Sequence, residues 1–426
     1  MPDFITPQLV TSILVIFIML NLILVSCSYL IMLERKVCAW IQDRIGPNRT
    51  NFSFGLLPIK KFCFGLGQPL ADGIKLFFKE DYTPDQVDKP LFLLAPVLVV
   101  IPAMIGWAIM PWGGIFHTEG FDLWIPFIGD FKIAAFSVST AAAPLNVGII
   151  YILAVGSLAV YGVVLGGYAS NNKYSFLGSL RATAQMLSYE IPMGLAVLTI
   201  IITSAGAMSA NSLIDAQVYT TGGTWNLLTH PIFAIIFFTC ILAECNRAPF
   251  DLAEAEQELV GGFHTEYSSM KWALFFLGEY MEMITGAAFF TLLFLGGWDL
   301  FPGLEAFPVE GGIFLVLAKA LVFFSKMAFL LFLMMWIRWT LPRFRFDQLM
   351  KLAWRSVIPT SLVILLATAT MIYLIPAGSR QWWHFTVMNV AVLFGTMACA
   401  SFIPSNETIN QKVRLKGSRF SPLLED

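Results

Sequence analysis

Nine apolar runs, separated by polar or Gly/Pro-rich connections, set the pattern of this chain: about 9–33, 91–110, 145–168, 186–208, 225–243, 272–298, 311–337, 357–375 and 383–402. A hydrocarbon core about 30 Å thick is crossed by about 20 apolar residues of helix, so each run predicts a transmembrane helix. The first run lacks the basic n-region and small-residue cleavage site of a signal peptide and is read as a span. The expected fold is an all-α polytopic membrane protein with about nine transmembrane helices in a single membrane domain, 1–426. Its parts are a first span (1–33), a polar segment (34–90), spans two to five (91–243), an acidic loop (244–271), spans six and seven (272–337), a basic loop (338–356), spans eight and nine (357–402) and a polar tail (403–426).

Between the first two runs, Leu70, Ile74, Phe77 and Phe78 recur at helical spacing with Asp72, Lys75 and Lys79 between them. That predicts an amphipathic helix lying on the inner membrane surface; an ordinary basic linker is the plainer alternative. The connection 111–144, rich in Gly, Pro and aromatics, predicts a compact hairpin over the bundle. The tail suits an inner arm or a docking strand for another subunit.

Composition agrees: 57% of residues are hydrophobic and 13% charged, which excludes a soluble domain. Of the 26 Lys and Arg, 22 fall in alternate connections (34–90, 170–185, 244–271, 338–356 and 403–426), which predicts those segments inside, the N-terminus outside and the C-terminus inside. This topological distribution forms no stripe for nucleic acid. Six cysteines without a C-x-x-C and four scattered histidines argue against an iron-sulfur site, a bis-histidine haem or a metal site in this chain. No phosphate-binding glycine loop is present.

The chemistry concentrates in acids beside or within apolar helix. From Glu244 to Glu282 lie Glu244, Asp251, Glu254, Glu256, Glu258, Glu266, Glu279 and Glu282, against only Arg247 and Lys271. Asp251 and Glu254 equally suit the start of a short solvated helix over 252–260. Glu244, Glu279 and Glu282 have apolar neighbours and escape that account. Glu190, beside Pro192 in SYEIPMGL, predicts a buried exchangeable carboxyl or one that snorkels to the inner surface. Lys319 and Lys326 share a face of the seventh span, where an ammonium costs about 2.5–3.5 kcal/mol, so Lys326 calls for a carboxylate or a watery cavity. Together these groups predict a proton path or ion site, with a purely structural ion-pair lattice as the alternative. At the inner end of span one, Glu34, Arg35, Lys36, Asp43 and Arg44 alternate with apolar residues around Trp40 and suit an amphiphile with a polar head; a basic anchor and turn fit equally well.

Long motifs in order, ERKVCAWIQDRIGPN, QPLADGIKLFFKED, LRATAQMLSYEIPMGL, the 244–280 stretch and WIRWTLPRFRFDQLMKLAW, make the chain resemble the quinone-site membrane subunit family of respiratory complex I, the H subunit in bacteria and NADH dehydrogenase subunit 1 in mitochondria. The resemblance covers 34–354. It implies an enzyme subunit with no redox centre of its own, quinone as substrate, and NADH, FMN and iron-sulfur clusters in partner subunits. It implies a bacterial cytoplasmic membrane, lipid around the bundle, hydrophilic quinone-site partners on the cytoplasmic side and pumping partners in the membrane. Arg35 and its neighbours would line the chamber mouth, and the Glu series with Lys326 would begin a coupling path. Two departures are the long 48–68 connection and the ninth span. A stand-alone cation/proton transporter would also use buried Glu and Lys, and a homologous subunit serving another electron donor is a third reading.

Overall fold

The structure, a computed structural model, describes residues 6–48, 50, 65–118, 121–125, 129–133, 135–219, 224–251, 261–302, 307–308, 310–376 and 381–402. Fourteen helices follow one another there: α1 (Pro7–Ile41), α2 (Gln68–Phe78), α3 (Lys89–Ile105), α4 (Gly148–Gly156), α5 (Ala159–Ala169), α6 (Lys173–Thr203), α7 (Ala210–Tyr219), α8 (Asn226–Thr229), α9 (Pro231–Glu244), α10 (Ser269–Phe294), α11 (Ile313–Thr340), α12 (Phe346–Leu352), α13 (Ile358–Leu374) and α14 (Trp382–Phe402). Among the described residues seven helical segments are long and apolar enough to cross a membrane: α1, α3 with its 3-10 extension, α4–α5, α6, α10, α11 and α12–α13. Helix α14 covers the ninth predicted run with 21 residues. The fifth run departs from expectation, because Pro231 starts α9 afresh after the single turn of α8 and leaves 14 helical residues, or about 21 Å.

The bundle core is built on α6, α9 and α10, whose Ile200, Phe233, Phe237, Cys240, Met281, Ala287 and Leu293 are all but fully buried. Small residues let helices approach closely. A Cβ at Gly162 of α5 would fall 2.5 Å from Val99, and one at Gly278 of α10 would fall 2.6 Å from the same side chain, so α3 is clasped from both sides. Pro192 does not interrupt α6, which runs through it for 31 residues. The periphery is apolar toward lipid, as in Phe17 of α1, Ile235 of α9 and Phe329 of α11.

The predicted hairpin region contains short strands. β1 (Ile115–Thr118) pairs antiparallel with β4 (Phe136–Ser139) and parallel with β5 (Glu310–Gly311), while β2 (Phe121–Ile125) pairs antiparallel with β3 (Gly129–Ile133). The side-chain oxygen of Gln8 accepts from the Ser139 backbone N–H at 3.1 Å, tying this sheet to the start of α1. The amphipathic segment is helical as expected. Leu70, Ile74, Phe77 and Phe78 of α2 are exposed together, and Ser269 at the start of α10 donates to the carbonyls of Leu76 and Lys79 at 2.8 and 3.1 Å, fastening the end of α2 to the bundle.

Candidate functional site

Where α1 ends, four segments remote in sequence bring their charges together. Glu34 is 4% exposed, and its carboxylate accepts from Arg247 at 3.1 and 3.2 Å, from the Tyr280 hydroxyl and from Arg338. Arg247, 2% exposed, also pairs with Glu279 and lies 4.2 Å from the Tyr280 ring centroid. Two carboxylates and two guanidiniums thus balance one another out of water, where an unpaired charge would be expensive. The turn after α9 holds Arg247 in place: Gln185 of α6 donates to the carbonyls of Ala243 and Phe250 at 2.9 and 3.0 Å. The loop after α11 closes over it, with Arg343 pairing Asp251 at 3.1 Å and the Phe344 amide donating to the Pro249 carbonyl.

Beside this network opens a cavity of about 420 Å³. Its wall carries Glu34, Arg35, Arg338 and His264 as polar groups and Ile31, Trp272, Phe276, Tyr280 and Trp339 as apolar or aromatic ones. Size and lining suit a flat, partly polar ring, for which aromatic walls and a few convergent donors are the usual requirement. The His264 ring packs against Gly261 and Trp272, and burial pushes its pKa down to about 4, so it presents a neutral imidazole at pH 7. Arg35 reaches Asp72 of α2 at 2.8 Å. On the other side of that pair, α2 and α1 form an apolar groove of about 470 Å³ lined by Tyr29, Leu70, Ile74, Phe77 and Phe78.

A second, smaller cavity of about 60 Å³ lies deeper, between α3, α4, α9 and α10. Glu244 and Glu282 both line it, with Thr285 and three glycines, Gly106, Gly156 and Gly286. It has room for a few waters, each needing at least about 10–15 Å³ and polar partners. Glu282 is one turn along α10 from Glu279, and Glu190 of α6 lies within electrostatic reach of Glu244.

The expected acids are therefore only partly gathered. Glu34, Glu190, Glu244, Glu279 and Glu282 make one connected set, while Asp251 is held by Arg343 and Glu266 accepts from Asn172 at 2.6 Å. Glu254, Glu256 and Glu258, with the short helix expected over 252–260, lie outside the described residues. Of the chamber candidates, Glu34 and Arg35 face the cavity; Lys36 is buried in α1, and Asp43 and Arg44 are exposed beyond its end. Along α11, Lys319 lies toward the end opposite Arg338 and Lys326 at the middle. Lys319 is fully buried 5.5 Å from the Trp298 ring and within reach of Asp215; Lys326, for which a carboxylate or a watery cavity is expected, donates to backbone carbonyls beyond α10, with Asp299 in electrostatic reach and a cavity of about 650 Å³ alongside. Burial pushes the Asp215 carboxyl up, with Lys319 opposing. Sequence reasoning misses Arg338, Tyr280, His264, Asp215 and Asp299 as site groups. For Arg338 a signal exists, since an Arg at the end of a long apolar run next to Trp339 does more than set orientation.

A family model described as NADH dehydrogenase matches residues 13–369. The chain belongs to that family. The match is wider than the motifs alone, and α14 lies beyond it. Within the NADH dehydrogenase family, similar proteins include an H subunit of NADH-quinone oxidoreductase from Geobacter sulfurreducens, 42% identical over 86% of this chain and 95% of the relative. The corresponding H subunit of Cytophaga hutchinsonii is 41% identical over 82% of this chain and 93% of its own length, and that of Leptospira biflexa is 43% identical over 82% and 92%.

Proposed function

We propose that this chain is the quinone-chamber membrane subunit of a proton-translocating NADH:quinone oxidoreductase and links quinone reduction to proton movement. The single observation that carries the reading is the shared residue Glu34: one face of its carboxylate borders the aromatic cavity, and its partners lead through Arg247 to Glu279. Quinone is the substrate; NADH, FMN and iron-sulfur clusters belong to partner subunits. The isoprenoid tail follows the apolar groove between α1 and α2, and the ring enters past Arg35. From the cavity, Glu34, Glu279, Glu282, Glu244 and Glu190 form a file of carboxyls in which protonation at one biases the next. A stand-alone transporter would need no aromatic chamber, which favours the oxidoreductase reading.

Arg35→Ala is expected to impair quinone reduction while electron transfer from donor to a soluble artificial acceptor stays near normal, because the change touches the chamber and no redox centre. Equal loss of both activities would withdraw the chamber role.

The asymmetry of Lys and Arg supports an orientation with the Glu34 end toward the cytoplasm, the N-terminus outside and hydrophilic partners docked on the basic face, in a bacterial cytoplasmic membrane. Ala135 and Gln348, both exposed, test it. A cysteine at 135 should react with a membrane-impermeant maleimide on intact cells and one at 348 only after permeabilisation; the reverse pattern would invert the topology.

A further inference from the structure

Lys326 has an environment in which backbone carbonyls, more than the nearby Asp299 carboxylate, receive the ammonium. Where α10 ends, the chain unwinds through Gly296 and Gly297, both at positive φ (66° and 57°), which turns several carbonyls inward. The Lys326 ammonium donates to Leu295 O at 2.6 Å, to Gly297 O at 3.2 Å and to Asp299 O. Its three N–H groups are thereby matched by three oxygens. The Trp225 ring centroid lies 4.2 Å from Nζ, closing the site with a π face. The Asp299 carboxylate accepts from the Trp225 indole N–H at 3.2 Å and lies within electrostatic reach of the ammonium without hydrogen-bonding to it.

Converging carbonyls at an unwound helix C-terminus, at the negative end of the helix dipole and with an aromatic lid, are what a small monovalent cation requires. We propose that these carbonyls form a monovalent-cation site whose resident cation is the ammonium of Lys326, tethered through α11. The site acts as an anchor. It fixes the C-terminal end of α10 against the middle of α11, while Tyr280, half-way along α10, and Arg338, in the last turn of α11, share Glu34. The register of the helix that carries Glu279 and Glu282 is thus set at two points, its C-terminal end and the turn that holds Tyr280. Next to the site, Ser325, Phe329 and Phe238 line a lipid-side cavity of about 650 Å³ through which a small solute can enter.

The test is chemical rescue in the intact membrane complex. Lys326→Ala removes a propylammonium's worth of side chain and should lower quinone reduction on the order of tenfold to a hundredfold, the scale of loss when a reacting geometry is displaced by about 1 Å. Propylammonium, and less well ammonium or potassium, should restore activity and thermal stability saturably, whereas propanol and tetramethylammonium should not. If Lys326→Ala does not assemble, propylammonium supplied during growth should recover the complex. Lys326→Met with Asp299→Asn separates the alternatives: a plain carboxylate pair predicts recovery in the double variant, and the carbonyl site predicts none. Normal activity and stability in Lys326→Ala, failure of every cation to rescue it, or recovery in the double variant would each overturn the proposal.

Discussion

Arg247→Met is expected to cost the assembled complex most of its stability. Arg247 is buried between Glu34 and Glu279, and breaking a buried ion pair by removing one partner costs about 3–5 kcal/mol, since the remaining charge is left where water cannot reach it. Glu34 keeps Arg338 and Tyr280, and Glu279 loses the guanidinium beside it. Two changes then give opposite results. Arg247→Met alone should reduce the complex on native gels and lower its melting temperature; adding Glu279→Gln, which removes the stranded charge while keeping the side chain's shape, should restore most of the assembly. An Arg247→Met complex as stable as the parent would show that the cluster is wetter and weaker than its geometry implies.

That cluster marks the limit of what could be read from the chain alone. Apolar length gave the spans, because a membrane helix satisfies its own backbone and its lipid face needs only hydrophobic side chains. The helical spacing of Leu70, Ile74, Phe77 and Phe78 likewise gave α2. Charge pairing was less accessible. Within 244–282 only two bases stand against eight acids, but Arg343 arrives from the loop after α11 to pair Asp251, and the in-window Arg247 is shared with Glu34 of α1, which also draws Arg338 from the end of α11. Such pairing depends on which helix ends meet, and local spacing carries no record of it. Lys326 illustrates the same point: its position in the seventh span announces a charge in need of partners, yet the groups that accept its hydrogen bonds are backbone carbonyls, which every residue possesses and no sequence pattern distinguishes. The division of the fifth run at Pro231 was legible in principle, as proline at the first helical position is a start signal.

Glu282→Gln and Glu244→Gln are expected to leave an assembled complex in which quinone reduction and proton pumping fall together, by about 100-fold or more, the usual range for loss of a positioned proton-transfer group. Both carboxyls line the small cavity between α9 and α10, where two acids face the same small space with room for a few waters. On the proposed route, like charges in this confined space disfavour ionisation of both, so one proton would be shared between them and would respond to the charge on Glu279, one turn away. Glutamine keeps the volume and hydrogen-bonding capacity but cannot take up or release that proton. If the pair conducts, blocking it stalls the quinone chemistry, because a cycle that must pass a proton through this step cannot turn over faster than the step allows. If the pair only fills space, Gln substitutes for Glu without loss. Sealed vesicles report both rates at once, and Glu282→Asp provides the control, retaining an ionisable group and therefore a substantial part of both activities. Normal pumping and turnover in an assembled Glu282→Gln complex would remove this cavity from the coupling route; pumping lost with quinone reduction intact would make the route a branch that the chemistry does not need.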